Sequence, residues 1–237
     1  MPPRLNKWLA GAQFKPQVIL ADASNHIGSD MGEEARAVID QALQQLGIKT
    51  ITNINIQQVD ANGVTLDNGQ RLDAATVVWS AGMRANPLIS QLGLETDWLG
   101  GLPVNKYLQV NGLENVFAAG DAAQAVFSDG ESVMSCQNSR PMGRFAGYNA
   151  IAHLLGQAMK PLDINWYVTV LDLGAAGAVY TQGRDRKVIA TGEQAKRTKQ
   201  TINGQRIYPP LNENAEDILA AAEPSVDQPP ATSTSRG

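Results

Sequence analysis

The chain has 237 residues, 43% hydrophobic and 18% charged with 22 glycines, which suits a soluble α/β protein of one large or two modest domains. The formal net charge of −4 argues against nucleic acid and against an anionic membrane surface as partners. One cysteine and two histidines exclude an internal disulfide and a thiolate zinc cluster, and they give a metal site little support.

The sequence also lacks the usual signals for export or membrane insertion. Residues 1–15 contain no uninterrupted apolar core of a signal peptide, and no apolar run approaches the roughly 20 residues of a spanning helix. A single cysteine fits a reducing compartment. We therefore expect a cytoplasmic protein without membrane attachment.

The first part of the chain predicts short strands around one helix. Residues 16–22, PQVILAD, have the apolar character and terminal acid of a buried parallel strand. Residues 31–47 have apolar positions at helical spacing, with Gly47 as the expected C-cap. The Asn-Gly pair in VTLDNGQRL predicts a hairpin in which residues 64–66 pair with residues 70–72. Residues 75–82, ATVVWSAG, predict a further apolar strand.

In the middle of the chain, one acid follows an apolar run. Residues 115–119, NVFAA, predict a buried strand that enters a turn at Gly120 and presents Asp121. A carboxylate in that place can accept two hydroxyl hydrogen bonds, as in sugar or polyol recognition, and the glycine lets a ligand approach closely. Capping of the next turn is the competing explanation for the acid.

The last part predicts a helix, more strands and a tail. The helix is expected from about Met142, with Pro141 in its first turn. Residues 164–192 return to strand pieces bounded by glycine. Residues 213–237 are rich in Ala, Pro, Ser and Thr, which predicts a frayed helix followed by disorder.

Two stretches together resemble a known family. VFAAGDAA, preceded by VNKYLQVNGLEN, is similar to the second flavin-binding motif of the two-dinucleotide-binding-domain flavoproteins. ATVVWSAGMRANPLISQLGL, residues 75–94, resembles the segment by which type II NADH dehydrogenases return from the pyridine-nucleotide domain to the flavin domain. The resemblance covers roughly residues 16–192.

The resemblance implies an α/β fold with incomplete FAD/NAD(P)-binding Rossmann-like domains in three ββα layers, followed by a small β-rich C-terminal domain. The expected limits are 1–105 for the NAD(P)H-binding part, 106–162 for the FAD-binding part, 163–212 for the C-terminal interface domain and 213–237 for a disordered tail. The implied activity is an FAD-dependent NADH oxidoreductase, with hydride passing from NADH to FAD and electrons going on to a quinone or another small acceptor.

The family resemblance also assigns the flavin contacts. Asp121, beside Gly120, would bind the ribitol chain of FAD. Cys136 and Gln137 would edge the flavin ring, largely through backbone donors at a helix N-terminus. A small packed residue at a helix start is the alternative for Cys136, which has no second cysteine for redox chemistry.

Two further residues would face NADH. The resemblance implies that Asp22 accepts the adenosine ribose hydroxyls, which favours NADH over NADPH. Gly82 would allow close passage of the nicotinamide or of the crossing chain. The start of a loop for Asp22 and a plain turn for Gly82 stay open as alternatives.

The chain departs from the family pattern in two respects. Neither glycine-rich GxGxxG fingerprint is present in the sequence, which removes the usual pyrophosphate anchors. Quinone-reducing members typically show Ala-Gln-x-Ala-x-Gln, whereas here Gln137 is kept and Pro141 replaces the second glutamine. A truncated, flavin-free fragment or interaction module is therefore the second hypothesis. No catalytic nucleophile and no metal ligand is expected, and the acceptor and a homodimer are left open.

Overall fold

The computed structural model describes residues 16–232. The described residues form two compact units. The first unit comprises residues 16–80, 167–203 and 230–232, and the second comprises Ala81–Trp166 and Gly204–Pro229. Residues 1–15, in which the sequence predicts no signal peptide, lie outside the described residues. The domain limits expected from the sequence stay predictions.

The secondary structure of the described residues is mixed. The helices are α1 Glu33–Gln45, α2 Cys136–Leu154, α3 Gly192–Thr201 and α4 Ala215–Ala221. The strands are β1 Ile19–Ala21, β2 Lys49–Ile51, β3 Ile56–Asp60, β4 Gly63–Leu66, β5 Arg71–Asp73, β6 Leu102–Pro103, β7 Ala123–Gln124, β8 Val126–Phe127, β9 Gly130–Glu131, β10 Val168–Asp172, β11 Ala178–Gln182 and β12 Lys187–Thr191.

In the first unit, α1 connects two parallel strands. Strand β1 pairs with β2 in the register Leu20↔Thr50, which confirms a parallel strand within residues 16–22. Helix α1 buries Ala35, Ile39, Ala42 and Leu43, the face predicted from their spacing. Gly47, with φ 65°, follows the end of the helix as expected, since this backbone conformation favours glycine. The strand itself is only partly buried, because a two-stranded sheet covers few of its atoms.

The first unit also holds two antiparallel sheets. Strands β3, β4 and β5 form one of them, and the pair Val64↔Leu72 confirms the predicted hairpin. Strands β10, β11 and β12 form the other, as the glycine-bounded strand pieces indicated. This second sheet packs on two apolar clusters, one of which includes Ile39 of α1 and Val179 of β11.

The core of the second unit lies under helix α2. It combines Met142 and Phe145 of that helix with Leu102, Leu108 and other apolar residues of the preceding loops. Two small sheets join this core: β6 pairs with β7 in parallel, and β8 forms a hairpin with β9. Burial of Met142 and Phe145 fixes which face of α2 points inward.

Two of the strands predicted from the sequence, at residues 75–82 and 115–119, are wrong. Residues 75–82 have no strand pairing, and the side chains of Val78 and Trp79 are 73% and 64% exposed. Residues 115–119 make only the single bridge Gln109↔Phe117, and residues 116–119 are partly rather than fully buried. Apolar runs of this kind become strands only beside another strand. Residues 75–82 have no such neighbour within residues 16–232, and residues 115–119 have only the short stretch around Gln109.

Helix α2 begins six residues earlier than predicted. The carbonyl of Ser135 accepts hydrogen bonds from the amides of Asn138 and Ser139, at 3.1 and 2.9 Å, and so starts the helix at Cys136. Pro141 therefore lies inside the helix rather than in its first turn. The helix gives up one backbone hydrogen bond there, and burial of the Pro141 ring in the core offsets part of that loss.

The C-terminal region contains the helix that the sequence predicted there, while the disordered tail stays a prediction. Asn214 caps helix α4 by accepting hydrogen bonds from the amides of Glu216 and Asp217. Further on, Tyr180 donates a 2.6 Å hydrogen bond from its hydroxyl to the carbonyl of Pro230. Residues 233–237 lie outside the described residues.

No helix within residues 16–232 is both long and apolar enough to cross a lipid bilayer.

The hairpin sheet provides a test by pH. Arg71 donates to both carboxylate oxygens of Asp60, at 2.7 and 2.6 Å. This bond, helped by the amide of Asn62, lowers the pKa of Asp60 from 3.8 to about 2. Because the folded pKa lies below the unfolded one, the stabilisation is present above pH 3.8 and is lost as the pH falls through about 2.

We expect Arg71→Gln to raise the pKa of Asp60 toward 3.8, as read from an NMR titration of its carboxyl carbon. Arg36→Gln is the control, because Arg36 lies on α1 and pairs with Glu33 and Asp40. A pKa of Asp60 that stays near 2 without Arg71 would contradict the assignment.

Candidate functional site

The acid singled out in the sequence lies on a tight turn of the second unit. Residues Gly120–Ala122 form one 3-10 turn directly before strand β7. Gly120 has φ 64°, a conformation that side chains disfavour. A Cβ at this position would come within 3.3 Å of Ser139 Oγ and 3.4 Å of Ser139 Cβ. Glycine is therefore favoured here both by the backbone conformation and by the close approach of helix α2.

Asp121 projects from this turn toward the same helix. Its Oδ1 accepts a hydrogen bond from Ser139 Oγ at 3.4 Å, which is long for a hydroxyl donor. The side chain is otherwise exposed, and Ser139 belongs to the first turn of α2. The carboxylate is thus held next to the helix start and still has oxygens available for stronger donors.

The start of helix α2 is fixed by its own side chains. Asn138 is buried, and its Oδ1 accepts a 2.7 Å hydrogen bond from the amide of Val133, which ties the preceding loop to the helix. Ser135 precedes the helix in extended conformation and makes no side-chain cap. Its Oγ is buried without a hydrogen-bond partner among the described residues. The helix end therefore holds a defined backbone and one unused hydroxyl.

Cys136 and Gln137 are the first two residues of α2. Cys136 is exposed, and its thiol is free. Amides at this end of an α-helix lack acceptors within the helix, and the helix dipole favours negative charge beside them. The structure thus brings Gly120 and Asp121 to the helix end that Cys136 and Gln137 begin.

The other two predicted residues do not join this group. Asp22 belongs to the first unit, where its Oδ1 accepts a 2.8 Å hydrogen bond from the amide of Ser24 just after strand β1. This is the loop-start geometry that the sequence left open for Asp22. Gly82 lies in an irregular segment of the second unit with φ 93°, and a Cβ there would meet no atom within 4 Å. Its backbone conformation explains the glycine without any ligand.

The turn at Gly120 and Asp121 and the start of helix α2 together suit only certain kinds of ligand. A carboxylate on a rigid turn accepts hydroxyl hydrogen bonds, and the nearby helix end stabilises an electron-rich or anionic group. Within residues 16–232, no group of three or more His, Cys, Asp or Glu side chains is arranged to hold a metal ion. The arrangement therefore suits the binding of a polyol-bearing ligand next to the helix end.

Sequence reasoning missed Ser139, Asn138 and Asn149. Asn149 is fully buried in α2, where its Nδ2 donates to the carbonyls of Tyr107 and Lys160, both at 2.9 Å, and its Oδ1 accepts from the amide of Lys160 at 2.8 Å. Asn149 lies on the inward face with Phe145 and Ala152. A polar residue in an apolar helical stripe was the signal that would have singled it out.

Substitution of Gly120 tests the close contact between turn and helix. We expect Gly120→Ala to lower the free energy of unfolding by about 2 kcal/mol, because positive φ and the approach to Ser139 both oppose a Cβ. Gly112→Ala is the matched control, since Gly112 has φ 87° but no atom within 4 Å of its added Cβ. Denaturant titration should give about 1 kcal/mol for the control. Equal losses would show that the contact with Ser139 contributes nothing.

Substitution of Asn149 tests the buried amide. Asn149→Ala leaves two carbonyls and the amide of Lys160 without their partner, so we expect a loss of about 3 kcal/mol by denaturant titration. Asn111→Ala, in an exposed turn of the same unit, should change stability by less than about 0.5 kcal/mol. A loss at Asn149 no larger than that of this control would mean that water replaces the amide.

Comparison with known proteins identifies the family. The family model described as pyridine nucleotide-disulphide oxidoreductase matches residues 8–143. An NADH dehydrogenase-like protein of Mycobacterium tuberculosis is 53% identical over 232 residues, which cover 97% of this chain and 58% of that protein. A type II NADH:quinone oxidoreductase of Haemophilus influenzae is 27% identical over 159 residues, covering 66% of this chain and 36% of that protein.

A solved structure shows the same fold. The sulfide:quinone oxidoreductase of Aquifex aeolicus superposes with a TM-score of 0.60 at 14% identity, over 84% of this chain and 51% of that chain. The present chain spans only 58% of the length of the mycobacterial relative. Since the family model covers more than half of the present chain, the chain belongs to the pyridine nucleotide-disulphide oxidoreductase family.

Proposed function

We propose that the chain is part of an FAD-dependent NADH oxidoreductase of the NADH dehydrogenase type. The observation that carries this proposal is the contact of the Gly120 and Asp121 turn with Ser139 at the start of α2. It joins the acid that the family uses for the flavin ribitol to the helix end expected at the flavin ring. The 53% identity to an NADH dehydrogenase-like protein supports the same assignment.

The residues of this turn and helix fit FAD. The exposed Asp121 carboxylate would accept hydrogen bonds from the ribityl hydroxyls. Gly120 has no side chain and so leaves the turn unobstructed, whereas an added Cβ would contact Ser139. The buried, unpartnered Ser135 Oγ offers a further polar atom at the helix start. When bound, FAD accepts a hydride from NADH and passes the electrons on.

The contribution of the protein to this chemistry is position and charge. Cys136 and Gln137 would present backbone donors to the flavin ring, and the helix dipole would favour negative charge on the reduced ring. Asn138 would keep the helix start fixed through its bond to the amide of Val133. A fixed geometry of this kind lowers the reorganisation needed for hydride transfer. No nucleophile is required.

The NADH side of the proposal rests on Asp22 and Gly82. Asp22 follows strand β1 and would accept ribose hydroxyls with the oxygens that Ser24 leaves available. Gly82 has no atom within 4 Å of an added Cβ, which leaves room at its backbone for the nicotinamide or the crossing chain to pass. The acceptor is a quinone or another small molecule, and Pro141 in place of a glutamine disfavours the quinone. A cytoplasmic location and a homodimer are part of the same proposal.

One observation favours the second hypothesis, an interaction module without flavin chemistry. Val77, Val78 and Trp79 form an exposed, extended apolar run in the first unit. In the same unit, strands β1 and β2 pair only with each other among the strands of residues 16–232, so both edges of this parallel sheet are open. Parallel strands and large apolar side chains are normally covered. A partner polypeptide that adds strands would cover both.

Titration with FAD tests the leading proposal on the chain as it exists. We expect FAD to raise the melting temperature and to quench tryptophan fluorescence. Asp121→Ala should weaken binding about thirtyfold, because it removes charge-assisted hydrogen bonds to hydroxyls. Glu95→Ala removes an exposed acid elsewhere in the second unit and should leave the affinity unchanged.

The result also separates the two hypotheses. Neither a thermal shift nor quenching at saturating FAD would favour the interaction module over autonomous flavin binding. An equal affinity for FAD in Asp121→Ala and in the wild type would show that FAD does not bind at this turn. If FAD binds, rates of NADH oxidation with a quinone and with a dye acceptor identify the acceptor class.

A further inference from the structure

A second cluster of charge lies on helix α2, outside the candidate site. Arg140 and Arg144 are one helical turn apart, so their guanidinium groups project from the same face. The side chain of Arg140 is 27% exposed and that of Arg144 is 15% exposed. Two like charges at this spacing and depth repel each other and lose hydration, so they need an anion between them.

The chain supplies this anion from its own C-terminal segment. Asp227 Oδ2 lies 3.1 Å from Arg140 Nη1 and 3.5 Å from Arg144 Nη1. Arg144 Nη1 also donates to Ser225 Oγ at 3.4 Å and to the Ser225 carbonyl at 3.5 Å. One carboxylate oxygen thus bridges the two guanidinium groups.

The rest of the segment is held beside this ion pair. Val226 packs against the core of the second unit, between the two polar residues that Arg144 contacts. Arg206 donates a hydrogen bond to the carbonyl of Gln228. Residues 225–228, which we call the strap, therefore combine an acid, a hydroxyl and an apolar side chain, each with its own contact.

We propose that Arg140 and Arg144 form an oxyanion-binding site and that Asp227 of the strap is its internal occupant. The site takes a carboxylate or phosphate group. One carboxylate neutralises one of the two positive charges, so a doubly charged oxyanion satisfies the arginine pair better than Asp227 does. Such an anion competes with Asp227 and releases the strap. This inference does not depend on flavin binding.

Thermal unfolding of the full chain tests the site with inorganic phosphate as the probe and chloride of equal ionic strength as the reference. Asp227→Asn should lower the melting temperature by about 2 to 4 °C, and phosphate should restore most of this loss. Glu223→Gln removes an exposed acid from the same segment and should behave as the wild type. The variant with Arg140→Gln, Arg144→Gln and Asp227→Asn should show no phosphate-specific recovery. Equal phosphate effects in this variant and in Asp227→Asn would overturn the proposal.

A second measurement leaves Asp227 in place, in case its variants do not fold. Cys136 is the sole cysteine of the sequence, so Cys136→Ser with Val226→Cys places one thiol in the strap. Phosphate should speed labelling of this thiol about fivefold over chloride of equal ionic strength, because the strap opens when phosphate takes the arginines. Labelling at the same rate in both salts would show that the strap is not displaced and would overturn the proposal.

Discussion

The buried amide of Asn149 is the interaction on which the second unit depends. It joins helix α2 to the loop at Tyr107 and to the chain that returns at Lys160. A buried amide with its partners in place stabilises one arrangement, because any other leaves polar atoms without hydrogen bonds. The inward face of α2 is set by this residue as much as by Met142 and Phe145. The start of the helix, and with it the candidate site, follows from that orientation.

The parts of the fold that sequence predicted are those decided by local chemistry. The Asn-Gly turn and the period of two around it determine the hairpin of β4 and β5, which is confirmed. The spacing of Ala35, Ile39 and Ala42 determines helix α1 in the same way. In both cases neighbouring residues contain all the information needed.

The parts that sequence did not predict depend on distant partners. Residues 75–82 have the composition of a strand, but a strand needs a neighbour that composition does not specify. Ser139 meets Asp121 across 18 residues of sequence, and Asn149 meets Tyr107 across 42. Pro141 obscured the true start of α2, because proline inside a helix is tolerated only where packing compensates for it. The residues proposed to bind the flavin were predicted from the family resemblance, because their spacing in the sequence does not by itself indicate a flavin site.

The first unit is built from separated parts of the chain, and this affects the order in which it forms. Its apolar cluster joins Ala35 and Ile39 to Val179, and the amide of Val188 donates to Glu34 Oε2 at 2.8 Å. At ~10 residues per second, a ribosome needs about 15 s to make the stretch between these partners. During synthesis of this stretch, the apolar face of helix α1 is not yet covered by the sheet of β10, β11 and β12. Contacts of such high sequence separation also slow refolding, so the first unit completes its core late.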